Sequence, residues 1–285
     1  MIKNNRIPVL MLSVSVLGFS FFYIFPFVFS LIYGLVDNPI NMKFVGIKNF
    51  IDLFNNQYFM RGLKNTALFM LISIPLNIVI SLAIALIINK LVKLRNIFSL
   101  VYLAPLVIPS ATTAFFWGNM FGYHGVINKF INKFGYVGID WFQSDYAMII
   151  MIIIFLWKNI GYNTALFISG INSIPDQYYE CASTEGANAL WRFKTVTIKY
   201  LTPTMFLVLI MTFVNSFKVF KEIYILTGEY PSDSLYVLQH YMNNMFLSLN
   251  YSKLVSAVYI LTAVIVSFVA FVFHMENRVT KDLIN

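Results

Sequence analysis

Six stretches of the chain run for twenty residues or more with few or no charged side chains, at about 8–35, 66–89, 97–121, 146–170, 203–227 and 254–275. Each is long enough to cross a bilayer core of about 30 Å as a helix rising 1.5 Å per residue. Lipid offers no partner to a bare peptide group, so such a chain folds as helices whose backbone bonds are internal. The fold class expected is all-α, a polytopic membrane protein with six transmembrane helices. Composition agrees: of 285 residues 59% are hydrophobic and 11% charged, against roughly a quarter charged in soluble domains. This balance excludes a soluble globular enzyme, and the 18% aromatic content excludes a disordered or collagen-like chain. The first run is about twice the length of a secretion signal's apolar core and no small-x-small cleavage site follows it, so it reads as a membrane helix. A single cysteine, Cys181, rules out an internal disulfide and a multi-cysteine metal site.

An even number of spans puts both termini on one side. With the N-terminus inside, the inner segments hold about ten Lys and Arg in roughly 56 residues, among them Lys3, Lys90, Lys93, Arg95, Arg192 and Lys199. The outer ones hold about seven in roughly 81. This bias favours cytoplasmic termini and makes the net charge of +8 a topology signal rather than a nucleic-acid footprint. The location expected is a membrane, with both termini on its cytoplasmic side.

Between the first two runs, Phe44, Ile47, Phe50, Ile51, Phe54 and Tyr58 recur at helical spacing among polar residues. The pattern predicts an amphipathic helix, either lying on the membrane surface or packed beneath a loop. Residues 122–145 carry Gly122, Gly125, Gly135 and Gly138 with Trp141 and Phe142, which reads as a loop with interfacial aromatic anchors. Pro75, Pro105 and Pro109 fall within the second and third runs, where neighbouring helices must resatisfy the backbone.

The connection 171–203 is far longer than two antiparallel helices need. Ser173 as cap, Pro175 in the first turn and the acids Asp176 and Glu180 predict a short helix over about 175–185. Gly186 permits a positive φ, after which about 187–200 can form a second short helix. Cys181, Ala182, Ser183, Gly186, Ala187 and Ala189 give a low-relief surface suited to another protein.

In this loop the chain resembles the inner-membrane permease subunits of binding-protein-dependent ABC importers, in the sugar-type branch serving maltose, multiple sugars and glycerol phosphate. Glu180, Cys181, Ala182, Gly186, Ala187, Phe193, Thr197, Leu201 and Pro203 stand in register with that family's E-A-A, x3, G loop. Cys181 replaces the usual Ala, and Lys199 stands where Pro is frequent. Phe44 to Phe50, Leu63 to Thr66, Arg95 to Pro105 with Trp117, and Thr227 to Pro231 are similar to further family segments, with Glu229 and Tyr230 replacing glycines. The resemblance implies a single permease domain over 1–285, with a core of about 66–275, an added N-terminal helix of about 8–35 and a cytoplasmic coupling loop of about 171–203. It implies as partners a second homologous permease subunit, two ABC ATPase subunits, an extracytoplasmic substrate-binding protein, membrane lipid and a sugar substrate. Glu180 would be the charged contact to the ATPase, Gly186 the turn, and Cys181, Ala182 and Ala187 the close-packing face. Transport would proceed by alternating access. The chain has no G-x-x-x-x-G-K-[ST] loop, so ATP and Mg would be bound by the ATPase partners and this chain would be no enzyme and hold no cofactor. His124, His240 and His274 show no metal-ligand spacing.

Ionisable residues within spans face a cavity or a partner rather than lipid. Lys158 lies in the fourth run, and Lys218, Lys221 and Glu222 in the fifth. Lys218 and Glu222, four apart, can pair on one helical face, whereas Lys158 has no local partner. Trp157, Lys158, Asn159, Tyr162 and Asn163, with Asn215, Ser216 and Lys218, would either line a substrate path suited to sugar hydroxyls and ring faces or bond the second permease. Glycerol phosphate or another anionic carbohydrate is the alternative substrate. An ion-coupled secondary transporter is a further alternative, although no internal repeat supports it.

Overall fold

The computed structural model describes residues 6–90 and 103–284, and among them five helices are long and apolar enough to cross a membrane. They cover Met11–Gly34, Gln57–Asn89, Ala147–Asn172, Ala189–Thr227 and Tyr251–Val279. They correspond to five of the six expected spans. The third, expected over 97–121, lies partly outside the described residues, as do Lys3, Lys93, Arg95 and part of the Arg95 to Pro105 segment. Its described part is helical at 103–107, breaks at 108–109 and resumes over Ser110–Phe121. Pro109 sets this break: its backbone is extended at φ −57°, ψ 147°, and it has no N–H to continue a helix.

Two other spans are modified by local chemistry. The first contains a π-turn, Ser20–Ile24, ending two residues before Pro26, and the Phe25 N–H reaches back to the Ser20 carbonyl. The fifth begins earlier than expected. The second loop helix is not separate; Ala189–Arg192 runs through a π-turn, Phe193–Thr197, directly into Ile198–Ser216, then a 3-10 turn, Phe217–Val219, and Phe220–Thr227. Lys199 helps explain this, because unlike proline it keeps the backbone donor that a continuous helix needs.

The chain divides into two compact units, Met1–Met60 with Met242–Val264, and Arg61–Tyr241 with Ile265–Asn285. In the first unit, Phe27 stacks on Tyr259 with ring centroids 4.7 Å apart, and the Tyr259 hydroxyl donates to the Phe27 carbonyl. Gly34 leaves room for Phe50 and Val255, which a Cβ would meet at 3.3 and 3.4 Å. The amphipathic segment is a helix over Lys48–Phe54. Its Asn49 is buried and donates to the carbonyls of Gly34 (2.9 Å) and Val36 (2.7 Å), while Phe44, Ile47, Ile51 and Phe54 stay exposed. The polar residue therefore anchors this helix, and its apolar edge faces outward.

In the second unit, Phe69, Trp117, Ile150, Met151, Phe155 and Ile223 form one core cluster, and Ala85, Phe167, Ile171, Ala182, Val196 and Leu201 form another. The fourth and fifth spans cross closely at Gly170, where a Cβ would lie 2.6 Å from Thr204 Oγ1 and 2.8 Å from Leu201 Cδ2. The Leu63 to Thr66 segment meets the stretch after Pro231: Asn65 Nδ2 donates to the Asp233 and Tyr236 carbonyls at 2.6 and 2.9 Å, Thr66 Oγ1 accepts from the Leu238 N–H at 2.9 Å, and Arg61 pairs with Asp233. The connection 122–145 is more ordered than a loop. A helix, Val126–Lys133, is held by buried Asn128, whose Nδ2 donates to the Tyr123 and Ile139 carbonyls and whose Oδ1 accepts from the Ile139 N–H and from Trp141 Nε1.

Candidate functional site

Two places in the second unit carry the chemistry. The first is the hairpin after the fourth span. Its helix is Asp176–Thr184, with Pro175 in the N-cap position at an extended φ −61°, ψ 134°. Ser173 does not cap it. With helical backbone angles it ends the preceding helix instead, and its hydroxyl donates to the Gly170 carbonyl at 2.7 Å. Asp176 occupies the first turn, where an acid favours the exposed backbone donors.

The hairpin turns through a Schellman motif. Gly186 adopts φ +80°, its N–H reaches the Ser183 carbonyl at 3.1 Å, and the Ala187 N–H reaches Ala182 at 3.0 Å. A Cβ at Gly186 would meet nothing within 4 Å, so backbone conformation rather than space selects glycine. Asn188 Oδ1 then caps the long helix by accepting from the Trp191 N–H at 2.8 Å. Three contacts fasten the hairpin to that helix: Arg192 donates to Ser183 Oγ at 2.7 Å, the hydroxyls of Tyr179 and Thr197 lie 3.0 Å apart, and the rings of Tyr178 and Tyr200 meet at 4.6 Å. Glu180, Cys181 and Gly186 are exposed, Ala187 is half-buried, and Ala182 is buried in the core cluster that includes Phe167, Ile171 and Leu201. The small residues therefore divide between two faces, and only part of the set is available to a partner.

The second place is a cavity of about 350 Å³ lined by the third, fourth and fifth spans. The break at Pro109 brings residues 106–110 to its wall, opposite Lys158 and Asn159 of the fourth span and Asn215, Lys218, Lys221 and Glu222 of the fifth. Lys158 forms an ion pair with Glu222, which also accepts from Ser110 Oγ at 2.8 Å. Glu222 does not pair with Lys218, whose Nζ donates to Asn215 Oδ1 at 2.8 Å. The Glu222 side chain is 2% exposed and that of Lys158 21%. A carboxylate so enclosed is costly to bury without such partners.

The remaining residues expected on the path lie elsewhere. Trp157 stacks with Phe116 at 6.0 Å and meets Trp117 edge-on at 5.7 Å, within the core. Asn163 is buried and donates to Asn77 Oδ1 at 2.5 Å and Thr212 Oγ1 at 2.7 Å, joining the second, fourth and fifth spans. Ser216 is buried with its hydroxyl turned to the Phe213 carbonyl at 2.6 Å. Tyr162 is half-buried and does not line the cavity. Sequence reasoning missed Ser110; its position directly after Pro109, where the proline interrupts the run, was the available signal.

The comparisons with known proteins agree with this architecture. The Bacillus subtilis (strain 168) probable ABC transporter permease protein YesP is 33% identical over 260 residues, covering 85% of this chain and 82% of that one. The trehalose/maltose transport system permease protein MalF of Thermococcus litoralis is 29% identical over 241 residues, covering 84% and 81%. The fold matches a chain in the crystal structure of a bacterial ABC transporter involved in import of the acidic polysaccharide alginate, with TM-score 0.84, 22% identity and 98% of both chains covered. The family profile of the binding-protein-dependent transport system inner membrane component matches residues 77–281. With most of its length matched and its spans and loop built as described, the chain belongs to that family of multi-pass membrane permeases.

Proposed function

We propose that this chain is the membrane-spanning subunit of an ATP-driven, binding-protein-dependent importer for a sugar or oligosaccharide, itself without catalytic activity. Its partners in this reading are a second homologous permease, two ATPases that bind ATP and Mg, and an extracytoplasmic binding protein, with both termini in the cytoplasm. The hairpin 176–187 is the coupling element. The observation that carries this is the pairing of a rigid, hydrogen-bonded turn with an exposed Glu180, on a hairpin rooted in the long helix that supplies the cavity wall. A push on such a hairpin is transmitted along a continuous helix to Lys218, Lys221 and Glu222, which suits a rocking motion between two openings. Lys158, Asn159, Asn215 and Lys218 line the path, whereas Trp157, Tyr162, Asn163 and Ser216 hold its walls.

The test is purification of the tagged chain from native membranes, with and without Glu180→Lys. The expected result is recovery of an ATPase and a second permease with the native chain, loss of most ATPase with the variant, and uptake that requires ATP. Purification alone, or full ATPase recovery with Glu180→Lys, would overturn the coupling assignment.

A further inference from the structure

Three lysines and one carboxylate line the cavity, so its wall carries two positive charges in excess. The carboxylate is already engaged: Glu222 is buried and holds Lys158 and Ser110. The third-span residues of the wall, Leu106 to Ser110, carry no charge, and Lys158 is the fourth span's one ionisable contribution. Among the described residues neither Lys218 nor Lys221 has an acidic partner within ion-pair distance, and both are exposed. They stand three apart at the 3-10 turn Phe217–Val219, a spacing that sets side chains on nearly the same face. Cations within an apolar span are costly without a counter-ion, and a cavity wall that holds two lysines with no acidic partner between them is suited to an anion.

We infer that the cavity takes an acidic carbohydrate, one whose carboxylate, phosphate or sulfonate is held between Lys218 and Lys221 while Asn159 and Asn215 receive its hydroxyls. This rests on the importer reading above and narrows its substrate class. The volume of about 350 Å³ lies within the range of small-molecule sites, about 300–1,000 Å³. Leu106, Val107 and Pro109 supply apolar surface for a sugar ring.

The experiment uses the intact importer, purified with its partners into lipid nanodiscs, and measures binding of acid and neutral pairs: trigalacturonate against its methyl ester, trimannuronate against its methyl ester, and glycerol phosphate against glycerol. At least one acid is expected to bind ten-fold or more tightly than its neutral counterpart. That preference should shrink to under three-fold in Lys218→Gln/Lys221→Gln, and fall with added salt. Equal affinity within every pair, or a preference that survives the double substitution, overturns the inference. So does loss of the second permease from the double variant with no charge preference in the native complex, which would make the lysines subunit contacts. Failure of the importer reading has a separate signature, the absence of an ATPase in the purified complex, whichever ligands bind.

Discussion

Lys158 of the fourth span and Glu222 of the fifth, 64 positions apart in the chain, form an ion pair that Ser110 of the third span completes. The pair ties together three helices at the cavity. Replacing Glu222 by Ala leaves Lys158 without its counter-ion and should lower stability by about 2 kcal/mol, less than the ~3–5 kcal/mol of a fully buried pair because Lys158 keeps some exposure. Lys158→Ala/Glu222→Ala should recover part of the loss, read as a coupling energy from thermal unfolding in detergent. Additive single effects would show that the pair is not energetically joined.

Gly170 marks a close crossing of the fourth and fifth spans. Gly170→Ala should destabilise by about 1–2 kcal/mol through overpacking, and Thr204→Ala in the same chain should restore much of it, since Thr204 Oγ1 is the nearest atom. Melting temperatures of the three variants decide this.

Asn128 makes four hydrogen bonds from a buried position. Asn128→Ala would strand Trp141 Nε1 and the Ile139 N–H, a loss of about 2 kcal/mol confined to residues 122–145. Near-ultraviolet dichroism from Trp141 should weaken while the helical signal is retained. An unchanged tryptophan signal would contradict the role assigned to Asn128.

His240, outside the spans in the helix Leu238–Leu247, is buried against Phe220 and Tyr236. Its Nδ1 accepts from the Val237 N–H at 3.2 Å, which sets the proton on Nε2. Burial lowers its pKa from 6.5 to about 4. The unfolded chain then takes up the proton first, so the stability tied to neutral His240 is complete above pH 6.5 and is lost as pH falls towards 4. The total approaches about 3 kcal/mol. His240→Asn keeps an acceptor but does not titrate, and should flatten the fall in melting temperature between pH 7 and pH 5. An equally steep fall in the variant would assign it to other groups.

The sequence by itself determined five of the apolar spans and the turn of the hairpin, because both are local. A run of about twenty mostly apolar residues satisfies its backbone in lipid only as a helix, and Gly186 supplies the positive φ that the hairpin takes. Motif residues such as Asn49, Asn65 and Thr66 were visible as a pattern, but their purpose was not. It appears only when each is found tying its helix to a distant backbone segment. The polar residues of the fourth and fifth spans were recognisable as misfits in lipid, yet helical spacing alone pointed Glu222 to Lys218. Tertiary structure decided for Lys158, since only packing brings the break at Pro109, and with it Ser110, to the same carboxylate. It also sorted the expected path residues, sending Lys158, Asn159, Asn215 and Lys218 to a cavity and Trp157, Asn163 and Ser216 to the walls. That sorting depends on how each helix is rotated about its axis. Periodicity leaves the rotation open when apolar side chains surround the helix, and contacts with neighbouring helices fix it.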